Sequence, residues 1–275
     1  MKFVFFGTPQ VASDTLAYLS KEGLVPSLVV TNADAPRGRG QVMTMCETKA
    51  WALEHGLKTI SPERLDEESI AQIIAEEADF AIVVAYGKML PESLIQSFPK
   101  GVLNVHYSLL PKYRGASPVE TALLNGETKT GVTIQRMVKE MDAGDIVAVA
   151  EEDILNDDTA VTLRARLIEL GARLLVDRLP PYINGEIIPE PQDHALATYA
   201  PKLKKEDGQL DLSDDAKTNW NKYRAFAAWS GVYFFAGDKR VKITKASLSD
   251  DGEFIIERVV PEGKKEISYT QFTAS

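Results

Sequence analysis

Three histidines, His55, His106 and His194, are the places where proton chemistry could start in this chain. His55 closes a helix reading just before Gly56, where a cation complements the helix dipole, so a structural role accounts for it. His194 lies in a polar, proline-containing stretch and carries no further signal. His106 is different. It ends Val102-Leu103-Asn104-Val105-His106, which reads as a strand. Side chains two apart on a strand share a face, so Asn104 and His106 point the same way. They stand at its C-terminal end, where open α/β sheets place their ligands. An imidazole beside a carboxamide can move a proton or donate hydrogen bonds. It can equally be a satisfied structural pair, and the residues alone leave both readings open. A carboxylate partner would come from Met141-Asp142-Ala143-Gly144-Asp145, after a strand reading at Gly131–Met137, although Asp and Gly also form plain turns. Directly after His106, Ser108-Leu109-Leu110-Pro111-Lys112-Tyr113-Arg114-Gly115 suits a shaped binding loop.

The elements that must position these residues alternate. Lys2–Phe6 is a short apolar strand, Gly7-Thr8-Pro9 a turn, and Val11, Leu16 and Leu19 line one face of a helix. Strands follow at Leu24–Thr31 and Ala81–Ala85, and helices at Thr48–His55 and Glu67–Glu77. Asn32–Gly40 reads as a loop. A strand apolar on both faces belongs in a parallel sheet covered by helices, so the first part is a doubly wound, mostly parallel α/β domain. A helix at Pro118–Leu124, a strand at Ile146–Ala150 and a long helix at Thr159–Leu179 complete it. Tyr182–Ala200 reads as a linker over the surface. Beyond it come a helix at Thr218–Ala227 and strands at Gly231–Phe235, Arg240–Lys245 and Glu253–Val260, the pattern of a small β-barrel or barrel-like sheet.

Several function classes drop out. The turn Gly7-Thr8-Pro9-Gln10-Val11-Ala12 lacks the later glycines of a dinucleotide fingerprint, and Pro9 removes a backbone donor, which disfavours an NAD enzyme. There is no phosphate-binding P-loop and no HExxH zinc motif. One cysteine, Cys46, excludes an intrachain disulfide and a cysteine-based zinc cluster, and fits a reducing compartment. No apolar run reaches ~18 residues and the N-terminus does not look like a secretory signal, so a soluble, cytoplasmic protein without membrane contact is expected. With 31 basic and 40 acidic residues the net charge is −9, which argues against coating nucleic acid over the whole surface. From Thr198 onward, however, 13 basic residues meet 12 acidic ones, so a local basic patch remains open.

The composite Leu103-Asn104-Val105-His106-Tyr107-Ser108-Leu109-Leu110-Pro111-Lys112-Tyr113-Arg114-Gly115-Ala116, Thr130–Gln135 and Met141–Asp145 resembles the 10-formyltetrahydrofolate-dependent formyltransferases. Asn-x-His, Ser-Leu-Leu-Pro and an Asp 36 residues after the His coincide. Within them the chain is similar, along nearly its whole length, to the branch acting on initiator methionyl-tRNA. Further matches are Phe6-Gly7-Thr8-Pro9, Arg37-Gly38-Arg39-Gly40, Val84-Ala85-Tyr86-Gly87, Thr198-Tyr199-Ala200-Pro201-Lys202-Leu203 and Gly263-Lys264-Lys265.

The resemblance implies a Rossmann-like catalytic domain over 1–184, a linker over 185–201 and a shortened OB-like domain over 202–275 that contacts tRNA. It implies Asn104, His106 and Asp142 as the catalytic trio, with Asn104 and His106 donating to an oxyanion and Asp142 orienting His106. Ser108, Leu109, Leu110, Pro111, Tyr86 and Gly87 would hold 10-formyltetrahydrofolate. Arg37, Arg39, Lys202, Lys204, Lys264 and Lys265 would contact the tRNA. No metal is required, and a monomer is expected. Tyr107 departs from the small residue or proline usual there, and Gln41–Cys46 replaces a basic, proline-containing run. An N-formyltransferase for a nucleotide-linked amino sugar would share the trio. A hydrolase that passes the formyl group to water, or an inactive tRNA- or folate-binding module, are further readings.

Overall fold

The computed structural model describes residues 1–38, 40–227 and 231–274, which divide into two units. One comprises Met1–Arg114, Gly131–Glu151 and Leu167–Ala197, the other Gly115–Thr130, Glu152–Arg166 and Thr198–Ser275. The second unit thus includes two stretches, Gly115–Thr130 and Glu152–Arg166, from within the 1–184 span expected for the first domain.

The chain opens with β1 (Phe3–Gly7), buried throughout, and α1 (Gln10–Lys21), which buries Ala12, Leu16 and Leu19. Glycine is required between them, because a Cβ on Gly7 would lie 2.5 Å from that of Ala12 and 2.8 Å from the Phe5 ring. The strand β2 (Leu28–Val30) is shorter than expected. Pro26 has no N–H for a ladder, so pairing starts only beyond it.

Next come β3 (Ala35–Arg37), inside the stretch Asn32–Gly40 read as a loop, and β4 (Val42–Thr44), which pairs with it as an antiparallel ribbon. Three-residue strands are too short for periodicity to register, and the intervening glycines are the ribbon's turn. After them come α2 (Glu47–Glu54), β5 (Thr59–Ile60), α3 (Glu67–Ile74), β6 (Phe80–Val84), α4 (Glu92–Gln96) and β7 (Val102–His106). Asp66 caps α3 by accepting the Ser69 N–H at 2.9 Å, and this bond holds its carboxyl below the usual range. The chain continues through β8 (Arg114–Gly115), α5 (Pro118–Leu124), β9 (Lys129–Arg136), β10 (Ile146–Asp153) and α6 (Ala160–Ile183).

A seven-stranded sheet has the order β10-β9-β7-β6-β1-β2-β5. Pairs β2–β5, β1–β2, β1–β6 and β6–β7 are parallel, and β7–β9 is antiparallel. Gly7 faces Val84 and Val83 faces Asn104, so β1, β6 and β7 end on one edge. Phe3 stacks on Phe80 at 5.3 Å, and β1 and β6 bury every side chain. At ~1.5–3 kcal/mol per large apolar side chain, these runs outweigh any exposed ion pair in fixing the sheet.

In the second unit, β11 (Tyr199–Ala200) presents the Ala200 carbonyl to the Ala116 and Ser117 N–H groups at 2.9 and 3.3 Å. Helix α7 (Ala216–Phe226) packs on α5, and its Trp220 donates to the Asn156 carbonyl at 3.2 Å. The barrel-like domain expected from sequence is realised as four antiparallel strands in sequence order. They are β12 (Val232–Ala236), β13 (Lys239–Leu248), β14 (Phe254–Pro261) and β15 (Ile267–Ser268). A reciprocal capping box between Ser268 and Gln271 starts α8 (Tyr269–Thr273).

Candidate active site

The strand register puts four polar residues on one face. Asn104 lies opposite Gln135 and His106 opposite Thr133, and residues paired across antiparallel strands point to the same side. His106, Thr133 and Gln135 are buried, so each polar atom needs a partner; leaving one unpaired costs ~1–3 kcal/mol. Thr133 and Gln135 carried no role in the sequence reading, although their two-residue spacing matches that of Asn104 and His106.

His106 is held at one nitrogen and faces a carboxylate with the other. Its Nε2 lies 2.8 Å from the Tyr113 carbonyl, which can only accept, so Nε2 carries a hydrogen. Its Nδ1 lies 3.7 Å from Asp142 Oδ2. At that distance the Nδ1 position is not consumed by a short bond. Nδ1 is the ring nitrogen that faces this carboxylate, on the side of the sheet that also carries Asn104. The Asn104 carboxamide is partly exposed and makes no hydrogen bond among the described residues.

Asp142 reaches His106 by a route that a parallel sheet would not provide. Because β9 is antiparallel, its C-terminal end lies beside Leu103, at the far end of β7 from His106. The turn after β9 folds back over the sheet. Gln135 Nε2 donates to Asp142 Oδ1 at 2.9 Å, leaving Oδ2 toward the imidazole. The Arg136 N–H bonds to the Asp145 carbonyl at 2.9 Å, and Gly144 passes so close to the Arg136 carbonyl that no Cβ fits.

The loop after His106 is braced from the same face. Thr133 Oγ1 donates to the Ser108 carbonyl at 2.7 Å and accepts the Leu110 N–H at 3.1 Å. The Ser108 hydroxyl donates to the Lys112 carbonyl at 2.6 Å. Ser108 and Leu110 are therefore buried scaffold, whereas Leu109 and Pro111 keep partial exposure.

A similar division holds after β6. The Tyr86 ring turns into the core against Phe6 at 5.4 Å, and burial pushes its hydroxyl up to about 12. Its carbonyl accepts from Thr8 Oγ1 and Asn32 Nδ2 at 3.2 and 2.9 Å, which ties the first glycine turn to this edge. Ala85 and Gly87 stay exposed, both at positive φ. Ala85 stood in a matched stretch but was given no role from the sequence.

Of the expected RNA contacts, Arg37 sits on β3 as a two-pronged ion pair with Glu47, one prong at 3.2 Å. That hydrogen bond holds the Glu47 carboxyl below and the Arg37 guanidinium above their ordinary ranges. Arg39 lies outside the described residues. In the second unit Lys202, Lys204, Lys264 and Lys265 are exposed. Among the described residues no cluster of three His, Cys, Asp or Glu side chains could hold a metal, and no helix is long and apolar enough to cross a membrane.

The pattern of the formyl transferase family matches residues 1–179, and that of the formyl transferase C-terminal domain matches 202–254. Over 252 residues the chain is 45% identical to a methionyl-tRNA formyltransferase of Thermotoga neapolitana, covering 91% of this chain and 80% of that one. The solved methionyl-tRNA formyltransferase of Clostridium thermocellum is similar at a TM-score of 0.63 and 15% identity, covering 98% of this chain and 99% of that one. An N-formyltransferase of Helicobacter canadensis, solved with folinic acid and dTDP-3-aminofucose, is similar at a TM-score of 0.68 and 20% identity, covering 98% of each chain. The two solved structures speak for the fold alone, whereas the sequence match over most of both chains decides the family. The chain belongs to the methionyl-tRNA formyltransferase family.

Proposed function

We propose that this protein transfers the formyl group of 10-formyltetrahydrofolate to the α-amino group of methionine on initiator methionyl-tRNA, acting in the cytoplasm as a monomer in translation initiation. The observation that carries the reading is His106 fixed at Nε2 by Tyr113, with Nδ1 facing Asp142 and the Asn104 carboxamide on the same face.

The neutral methionine amine attacks the formyl carbon, a carbon–nitrogen bond forms, and the carbonyl oxygen takes the negative charge. Asn104 and the Nδ1 hydrogen of His106 donate to that oxygen. One such donor is worth ~2.7–4 kcal/mol in comparable sites. Collapse breaks the bond to N10 of the folate. The proton lost by the amine balances the one gained by N10, and Asp142 with His106 offers the path. Confinement of the two substrates lowers the remaining barrier.

Leu109, Pro111, Ala85 and Gly87 present apolar and backbone surface along the edge that ends in His106. Such surface fits the flat ring system of a folate, with Ser108, Leu110 and Tyr86 as the scaffold beneath. Arg37, Arg39 and the four exposed lysines are the cations for phosphate contacts.

Incubation with 10-formyltetrahydrofolate and charged initiator tRNA should yield formyl-methionyl-tRNA. In a parallel arm a nucleotide-linked amino sugar should remain unformylated. Formylation of the sugar alone would replace this reading by the amino-sugar one.

A further inference from the structure

The stretch after α6, expected as a linker over the surface, sends one side chain inside. Glu190 exchanges backbone bonds with Ile146 at 2.8 and 2.7 Å, which fixes the segment at the start of β10. Two residues on, Gln192 is buried. Its Nε2 donates to the carbonyls of Asp142 at 2.9 Å and Gly144 at 2.7 Å, using both hydrogens. Its Oε1 accepts from Arg114 Nε at 3.1 Å and Nη2 at 2.6 Å. Arg114 is buried too, and Nη2 also lies 3.0 Å from His194 Nδ1. A guanidinium only donates, so it dictates which end of the carboxamide faces it. The amide hydrogens must then face the two carbonyls.

Asp142 needs that restraint. It is a non-glycine residue at φ 50°, a region such residues seldom occupy. Gln192 holds its carbonyl and Gln135 holds one carboxylate oxygen, which leaves the other facing His106. The same loop serves both partners. Tyr113 fixes the imidazole through its carbonyl, and the next residue, Arg114, fixes Gln192.

We propose that Gln192, oriented by Arg114, is a positioning residue that holds Asp142 against His106. The inference rests on reading Asp142 as the partner of His106 in formyl transfer. It makes the Pro189–His194 segment part of the catalytic apparatus, not a passive connection.

The test compares Gln192→Leu, Arg114→Lys, Asp142→Ala and the double variant Asp142→Ala/Gln192→Leu, with 10-formyltetrahydrofolate and charged initiator tRNA. Each is measured at steady state and in single turnover. Gln192→Leu should lower kcat about 10- to 100-fold, the scale of a small misplacement, with both KM values within about two-fold of wild type. Arg114→Lys, which has no fork, should show the same split with a smaller loss. In the Asp142→Ala background, Gln192→Leu should cost no more than about two-fold further, because residues acting as a unit are not additive. Should Gln192→Leu fail to fold, Gln192→Glu keeps an oxygen for Arg114 while removing both donors, and the same kcat loss is expected.

Wild-type kcat in a folded Gln192 variant, or a loss that multiplies fully with that of Asp142→Ala, overturns the proposal. So does an effect confined to KM. If Asp142→Ala itself turns over like wild type, the reading of Asp142 fails, and the inference with it. If Asp142→Ala is crippled and the Gln192 variants are not, the inference alone fails.

Discussion

The Asn104–His106 face and the Ala35–Thr44 ribbon belong to one structural unit, yet they rest on different physical terms. On the face, His106, Thr133, Gln135 and Gln192 are buried, and each is bonded to a defined partner. On the ribbon, Val42 and Met43 are 65% and 63% exposed, and the guanidinium of Arg37 is held by Glu47 at the surface. Breaking one buried bond costs ~1–3 kcal/mol, whereas an exposed ion pair contributes ~0.2–1 kcal/mol. The first region is therefore the more firmly held of the two. In the second, Arg37 could trade Glu47 for another anion at little cost, which is what the proposed RNA contact requires. Rigid geometry suits bond-making, and replaceable contacts suit gripping a large anion.

The largest expected effect tests the rigid side. His106→Ala and Asp142→Ala should each lower kcat at least ~100-fold, as loss of an oxyanion donor or of the carboxylate that orients it should. Unchanged turnover in either would erase the distinction drawn between the two regions. Next, Thr133→Val removes the bonds at Ser108 and Leu110 together. Urea unfolding should show a loss of ~1–3 kcal/mol, and KM for the formyl donor should rise more than KM for tRNA. A stable variant with normal KM values would mean that the loop is not braced from β9.

Smaller effects belong to the ribbon. Replacing Arg37 and Arg39 together by Ala should raise KM for tRNA and flatten the log–log salt dependence by ~1–2, at ~0.7–0.9 for each phosphate no longer neutralised, with folate binding unchanged. An unaltered salt slope would leave RNA binding to the second unit.

The smallest effect is Glu47→Gln. It frees Arg37 and should lower KM for tRNA by a few-fold at low salt. Acid should act in the same direction. The Glu47 carboxyl is held below its ordinary range by Arg37, so the pair is complete above ~4.3, the unperturbed value, and is lost as pH falls through the lowered one. Stability should move by less than ~1 kcal/mol across that window, since Arg37 is largely solvated.

Much of this was legible in the chain itself. The apolar runs at Phe3–Phe6 and Ala81–Val84 identify buried parallel strands, because a strand covered on both faces has no polar side. Period two alone places Asn104 and His106 on one face. Other assignments needed contacts between distant residues. The motif at Ser108–Pro111 marks a loop, but which side chains line it depends on Thr133, 25 residues after Ser108. Tyr86 was expected to hold the folate, and contiguity in the chain did not show that its ring lies in the core between Ala85 and Gly87, both at positive φ.

By itself the sequence determined the alternation of strands and helices and the membership in a formyltransferase family, and it nominated the residues proposed to do the chemistry. Those follow from local periodicity and from motifs contiguous in the chain. Only the tertiary structure decided that β9 runs against β7, that the turn after it folds back so that Asp142 meets His106, that Gln192 enters from the connecting segment, and that Arg37 is engaged by Glu47. These depend on strand direction and on which buried donors and acceptors find one another. Neither leaves a periodic trace along the chain, because a hydrogen bond between residues 50 apart, such as that from Gln192 to Asp142, is specified by the packing around both ends.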